Sequence, residues 1–134
     1  MSMNKVIVTG GAGFIGSNLV ERLLKDGAEE ILIIDDFSTG KKENLHDSSK
    51  VHLIKSKLED INDLESQFKG YDFCFHLAAG VGVQYIMDNL SDSLLTNIQG
   101  THIVFEACKE NNIPVLITST SESYGTSEEE SWDE

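Results

Sequence analysis

Cations, prolines and long apolar runs are scarce in this sequence, and each shortage removes a class of protein. Ten Lys and Arg stand against 23 Asp and Glu, a formal net charge of −13 with the four His neutral. The cations are scattered, so no basic face exists to meet a phosphate backbone. This excludes nucleic acid and argues against membrane surfaces as partners. A single Pro in 134 residues rules out a collagen or a mucin-like stalk. The two cysteines, Cys74 and Cys108, are far apart in sequence and form neither a CxxC nor a His/Cys cluster. That excludes a disulfide scaffold and a metal centre, and predicts reduced thiols acting as small core residues. Apolar runs stay as short as Ile31-Leu32-Ile33-Ile34, far below the roughly 18 residues of a membrane helix. At the amino terminus a strand-like Lys5-Val6-Ile7-Val8-Thr9 runs straight into glycines, with no leader pattern. A soluble, cytoplasmic protein is expected.

What is present is apolar substance spread over the whole length, 40% of residues, enough for one domain with a real core. That domain is placed at residues 1–125. Residues 126–134 hold Glu128, Glu129, Glu130, Asp133 and Glu134 around Trp132 and read as a solvated acidic tail without function.

Short β-branched runs alternate with segments of helical period, the rhythm of βαβ units around a parallel sheet. Strands are predicted at 4–9, 30–35, 51–55, 72–76 and 114–119. A first helix runs from about Phe14 to Asp26, with Ile15, Leu19, Val20, Leu23 and Leu24 inward and Gly27 as its stop. A second spans about Asp60 to Phe68. A third runs from about Ser91 to Asn111, with Leu94, Leu95, Ile98, Val104, Phe105, Ala107 and Cys108 inward. Right-handed crossovers then give a doubly wound α/β sheet of about five strands in the order 3-2-1-4-5, with a ligand crevice at the carboxyl ends of strands 1 and 4.

Gly10-Gly11-Ala12-Gly13-Phe14-Ile15-Gly16 follows strand 1 directly and opens the first helix. It reads as G-x-x-G-x-x-G from Gly10 and as G-x-G-x-x-G from Gly11. In that position the first glycine permits a tight turn, Gly13 lets backbone approach a pyrophosphate, and Gly16 lets the helix pack close to the sheet. Unpaired helix N-terminal amides then hold the phosphates. Asp35 and Asp36 end strand 2, with Asp35 at the distance of about 20 residues past the glycines at which a carboxylate meets the adenosine ribose. An acid there accepts from the 2′ and 3′ hydroxyls and repels a 2′-phosphate, which favours NAD over NADP. Lys41 and Lys42 read as solvated loop charges.

These motifs, together with Asp35-Asp36-Phe37-Ser38-Thr39-Gly40, His76-Leu77-Ala78-Ala79, Asn97-Ile98-Gln99-Gly100-Thr101 and Ser119-Thr120-Ser121-Glu122-Ser123-Tyr124-Gly125, resemble the extended short-chain dehydrogenase/reductase family. Within it the chain is similar to NAD-dependent nucleotide-sugar epimerases, dehydratases and UDP-glucuronate decarboxylases, which are isomerases and lyases on a Rossmann fold. The five motifs occur in family order over almost the whole chain. The resemblance implies that Gly10, Gly13, Phe14 and Ile15 line the pyrophosphate, and that Asp35, Asp36, Phe37, Ser38, Thr39 and Gly40 surround the ribose. It puts Leu58 beside the adenine and Leu77, Ala78 and Ala79 along the nicotinamide, with Thr118 near them. Asn97 resembles the helix asparagine that steadies the central strands at the cofactor, while His76 reads as a satisfied buried histidine. At Lys57 the chain departs from the aspartate usual in the family.

The same resemblance makes Thr120 the catalytic hydroxyl that meets the sugar C4 oxygen, with Ser121 and Glu122 as substrate-handling neighbours. The family's base is a tyrosine with a lysine four residues on, one helical turn away. Here Tyr71, Tyr85 and Tyr124 are followed at that spacing by Phe75, Asn89 and Glu128. The chain is therefore expected to be an incomplete, N-terminal part of a homodimeric enzyme that oxidises a nucleotide sugar transiently at C4, and to be inactive alone. The alternative expectation is a stand-alone NAD-binding sensor or interaction module, and a third is a ligand-free remnant.

Overall fold

The computed structural model describes residues 3–80, 87–88 and 90–120. Five parallel strands, β1 (Lys5–Thr9), β2 (Glu30–Asp35), β3 (Val51–Lys55), β4 (Phe73–His76) and β5 (Val115–Ile117), form one sheet in the order 3-2-1-4-5. The order agrees with the sequence reading, and each strand falls within its expected span. The register pairs Val6 with Ile31 and Phe73, and Val8 with Ile33 and Phe75, so the carboxyl ends of β1, β2 and β4 finish level. That levelness places the outgoing turns side by side.

Period-2 alternation along β1 and β2 sends each strand's apolar residues to both faces. Val6, Val8, Ile31 and Ile33 pack under helix α1 (Phe14–Lys25) with Val20 and Leu23. Ile7, Leu32, Ile34 and Cys74 pack on the other face beneath α2 (Leu64–Phe68) and α4 (Thr101–Glu110), against Phe68, Val104 and Ala107. Helix α1 ends with Arg22 and Lys25 in its last turn, complementing its dipole, and Gly27 follows at φ +96°.

Four expectations change. Ile15 is exposed at the start of α1 and does not join its buried stripe, because the first turn overhangs the sheet edge. The segment expected as a helix from Asp60 to Phe68 is broken into a 3₁₀ turn, Leu58–Asp60, and the short α2. Asp63 is the reason: its backbone is left-handed at φ 60° and its side chain accepts the Ser66 amide at 3.3 Å, a local bond that competes with helix continuation. The third predicted helix is three pieces, α3 (Leu90–Leu94), a π turn (Leu95–Gly100) and α4. A π turn takes up an extra residue and so shifts the phase of the helix beyond it. Ser93, Gly100, Val104, Ala107 and Cys108 therefore face inward, while Leu94, Leu95, Ile98 and Phe105 are exposed, Ile98 to 67%. Strand β5 is shorter than predicted, and Leu116 and Ile117 stand exposed at the edge of the described sheet.

Cys74 on β4 and Cys108 on α4, distant in sequence, lie in one core cluster as free thiols. The neighbouring Cys108 thiol and burial hold the Cys74 thiol well above the usual range, so it stays protonated.

Candidate functional site

The glycine turn is shaped by two contacts that only hydrogen tolerates, at Gly10 and Gly16, and by one open position, Gly13. Gly10 sits at φ +71°, and a Cβ on it would lie 2.8 Å from the Ala78 nitrogen, inside the chain leaving β4. A Cβ on Gly16 would lie 2.2 Å from the Gly10 carbonyl oxygen. At Gly13 a Cβ would meet only the Gly10 oxygen, at 3.3 Å, and otherwise point into open space. Gly10 and Gly16 thus close the turn against backbone, and Gly13 keeps a surface clear.

Above that surface begins α1. The amides of Phe14 and Ile15 have no acceptor among the described residues, as expected of a helix's first turn, and Phe14 is 84% exposed. Both residues line a cleft of about 460 Å³ across the carboxyl ends of the strands. Gly10, Gly13 and Gly16 form its floor, and Asp35 and Asp36 stand at the end of β2.

Asp35 is 8% exposed and both of its oxygens are engaged. Oδ2 accepts the Ala12 amide at 2.8 Å and Oδ1 accepts the Phe37 amide at 2.8 Å. One carboxylate thus ties the glycine turn to the loop after β2. An ionised carboxylate offers about four lone-pair sites, so two remain for hydroxyl donors. Asp36 makes the next link in the same fashion, Oδ1 accepting the Ser38 amide at 2.8 Å. These successive side-chain turns hold Phe37 left-handed at φ 61°, with its ring 5.6 Å from the Lys55 ammonium. The Ala12 carbonyl accepts the Lys41 amide at 3.1 Å and the Asn44 side chain at 2.8 Å, completing the clamp.

At the far end of the cleft, Leu77, Ala78 and Ala79 leave β4 and form a wall that Gly80 and Thr118 extend. Asn97, in the π turn, accepts the Gly80 amide through Oδ1 at 2.7 Å and so braces that wall from behind. His76 is 2% exposed, with both ring nitrogens hydrogen-bonded to threonine hydroxyls. Burial lowers its pKa to about 4.

Of the residues singled out in the sequence, the cleft gathers Gly10, Gly13, Phe14, Ile15, Asp35 and Asp36 around the turn. Ser38, Thr39 and Leu58 join them from the β2 and β3 sides, and Leu77, Ala78, Ala79 and Thr118 from β4 and β5. Phe37, Gly40, Asn97 and Thr120 lie outside its lining. Gly40 packs on Ala12, where a Cβ would come within 2.9 Å of Ala12. Thr120 is exposed beyond β5. Ser121 and Glu122, Tyr85 and Tyr124 are outside the described residues. The cleft also includes Lys57, where the chain departs from the family's usual aspartate, and Ile34, Ser56 and Glu59, which no motif marked. Their signal was positional, since they flank the carboxyl ends of β2 and β3, where open α/β sheets bind ligands.

Tyr71 is no activated base. Burial, together with its hydrogen bond to Glu30 at 2.8 Å, raises its pKa far above the ordinary phenol value, and it does not line the cleft.

A family model described as the NAD dependent epimerase/dehydratase family matches residues 6–134. The chain belongs to that family. Among curated relatives, a UDP-N-acetyl-alpha-D-glucosaminuronate decarboxylase of Bacillus cytotoxicus is 35% identical over 122 residues, which is 90% of this chain and 38% of that protein. Among solved structures, the UDP-N-acetylglucosamine 4-epimerase of Methanobrevibacter ruminantium, in complex with UDP-N-acetylmuramic acid, superposes with a TM-score of 0.87. It is 39% identical and covers 100% of this chain and 43% of its own. The enzyme WbmG of Bordetella bronchiseptica, in complex with NAD, superposes with a TM-score of 0.81 at 34% identity, covering 92% of this chain and 40% of its own. The chain thus spans about two-fifths of these epimerase/dehydratase family members.

Proposed function

We propose that this chain is the NAD-holding part of a nucleotide-sugar epimerase, dehydratase or decarboxylase that acts by transient oxidation at the sugar C4. The observation that carries the reading is the pairing of Gly13, clear of any side chain, with the half-engaged carboxylate of Asp35 in one cleft. The site fits the cofactor on its own chemistry. Amides of Phe14 and Ile15 at the positive end of α1 suit a diphosphate in a chain whose net charge would otherwise repel it. The free lone pairs of Asp35 suit the adjacent ribose hydroxyls and disfavour a 2′-phosphate, so NAD is preferred to NADP.

Bound there, NAD supplies a hydride acceptor. The residues of this chain bind and orient it: the Leu77–Ala79 wall limits the nicotinamide side, and small side chains there leave room for a ring. Thr120, with Ser121 and Glu122, is assigned to the sugar by its place in the family motif, where a hydroxyl meets the C4 oxygen. No tyrosine of the sequence has a lysine four residues on, so on this reading the chain binds NAD without converting a UDP-sugar by itself. We place it in the cytoplasm, where thiols such as Cys74 and Cys108 stay reduced.

Calorimetric titration tests the reading. NAD is expected to bind one-to-one and more tightly than NADP. Asp35→Ala is expected to weaken NAD by about 1–3 kcal/mol through loss of charged acceptors, with the melting temperature recorded to separate binding from folding. Unchanged affinity in a folded Asp35→Ala protein removes Asp35 from the site.

The homodimer belongs to the same reading. Residues 93–105 contain no Asp, Glu, Lys or Arg, and Leu94, Leu95, Ile98 and Phe105 are exposed on that helical face. It is a face on which two strongly anionic copies can meet without facing like charge. Light scattering is expected to give twice the chain mass for the wild type and the monomer mass for Ile98→Glu; a monomeric wild type contradicts it.

A further inference from the structure

The buried hydrogen-bond chain through His76 fixes where its proton sits. The Thr101 hydroxyl lies 2.8 Å from the Asn97 carbonyl oxygen, four residues back. A carbonyl can only accept, so the single hydroxyl proton of Thr101 is committed to Asn97. His76 Nε2, 2.9 Å from the same Thr101 oxygen, must therefore be the donor. At the other nitrogen, Thr9 Oγ1 stands 2.7 Å from Nδ1. That oxygen already accepts the Ala78 amide at 3.1 Å and shares the Leu77 amide, 3.2 Å away, with the Thr9 backbone carbonyl, also at 3.2 Å. Because Nε2 carries the ring proton, Nδ1 is the acceptor and the Thr9 hydroxyl donates to it. The Thr101 end selects one state, neutral imidazole with the proton on Nε2, and the Thr9 end accommodates it. The Nδ1–H tautomer leaves Nε2 without a donor at Thr101, and imidazolium would direct a third donor, after two amides, at the Thr9 oxygen.

The chain has a direction and two anchors. It runs from the amides of Leu77 and Ala78, through Thr9, His76 and Thr101, to the backbone of Asn97 in the π turn. The Asn97 side chain returns to the same wall at the Gly80 amide. Leu77, Ala78 and Gly80 line the cleft; Thr9, His76 and Thr101 do not. We propose that His76, locked as the Nε2–H tautomer between Thr9 and Thr101, is a positioning residue that fixes the Leu77–Gly80 wall of the cleft against the π turn. It touches no ligand and acts through the amide groups it orders. The inference rests on the NAD reading for its functional consequence but not for its geometry.

Thr101→Val is the decisive variant, because it removes one hydroxyl from the side of His76 remote from the cleft. Titration with NAD is expected to show an affinity about fivefold weaker, restored to near wild type by Thr101→Ser. Amide hydrogen exchange at Leu77, Ala78 and Gly80 is expected to speed up with it. Nitrogen-15 spectra of the wild-type imidazole, without NAD, should show Nδ1 unprotonated and Nε2 protonated at neutral pH. A wild-type ring protonated on Nδ1 overturns the proposal even if no variant folds. So does a folded Thr101→Val protein with unchanged affinity and unchanged exchange at these amides, whatever its melting temperature. If the wild type binds no NAD, the functional reading fails, while the ring spectrum and the exchange pattern still decide the positioning role.

Discussion

Gly16→Ala is expected to unfold the amino-terminal half of the crevice, costing roughly 3 kcal/mol of stability and abolishing measurable NAD binding. The added carbon would sit 2.2 Å from the Gly10 carbonyl oxygen and 2.8 Å from Gly11 Cα. Both are backbone atoms of the turn, so no side-chain rotation relieves the overlap, and α1 must lift away from β1. Lifting it exposes Val20 and Leu23, which are buried against Val6, Val8, Ile31 and Ile33. Gly13→Ala gives the opposite pattern. Its Cβ meets only one oxygen at 3.3 Å, so the melting temperature should stay close to wild type while NAD binding falls sharply. Thermal melts and calorimetry on the pair separate the glycine that folds the turn from the glycine that clears the site. A Gly13→Ala protein that binds NAD normally would put the diphosphate elsewhere.

Acid should destabilise the fold in a defined window. His76 titrates near 6.5 when unfolded and, by burial, near 4 in the native chain. Between those values the unfolded state binds the extra proton, so stability rises with pH across the window and is lost as pH falls from about 6.5 to 4. At about 1.4 kcal/mol per unit, the loss attributable to His76 is about 3 kcal/mol, complete near pH 4. Urea unfolding at steps of pH measures it, and the difference between wild type and His76→Gln isolates the histidine from the many carboxylates. If the two proteins lose stability in parallel between pH 6.5 and 4, His76 is not the group responsible.

Much of this site was legible in the sequence because it depends on strand ends. Apolar runs such as Ile31–Ile34 fix β2, and Asp35 is the residue at which that run and the strand end. With strand order set by βαβ connections, the glycine turn and Asp35 had to meet. The helical connection after β4 was not legible in the same way. Ser91–Asn111 carries one apolar period, and nothing local marks where an extra residue enters a turn. The π turn at Leu95–Gly100 is selected by tertiary contacts, the bond from the Gly80 amide to Asn97 and the close approach of Leu58 to Gly100, where a Cβ would stand 3.3 Å from Leu58 Cδ1. The placing of Cys74 and Cys108 in one core cluster was likewise invisible, since it depends on how α4 lies over β4. Lys57 and Glu59 entered the cleft for a third reason. They lie in or beside the 3₁₀ turn Leu58–Asp60, at the β3 end of the cleft and just ahead of the helix expected from Asp60 to Phe68.

The most direct test of the account is a titration of the nitrogen-15-labelled chain with NAD, read amide by amide. Saturable shifts concentrated at Gly13, Phe14 and Ile15 and at Asp35–Thr39, with Ala78 moving at the far end, are the result the account requires. Shifts confined to other surfaces, or none at NAD concentrations that saturate a family enzyme, would contradict it.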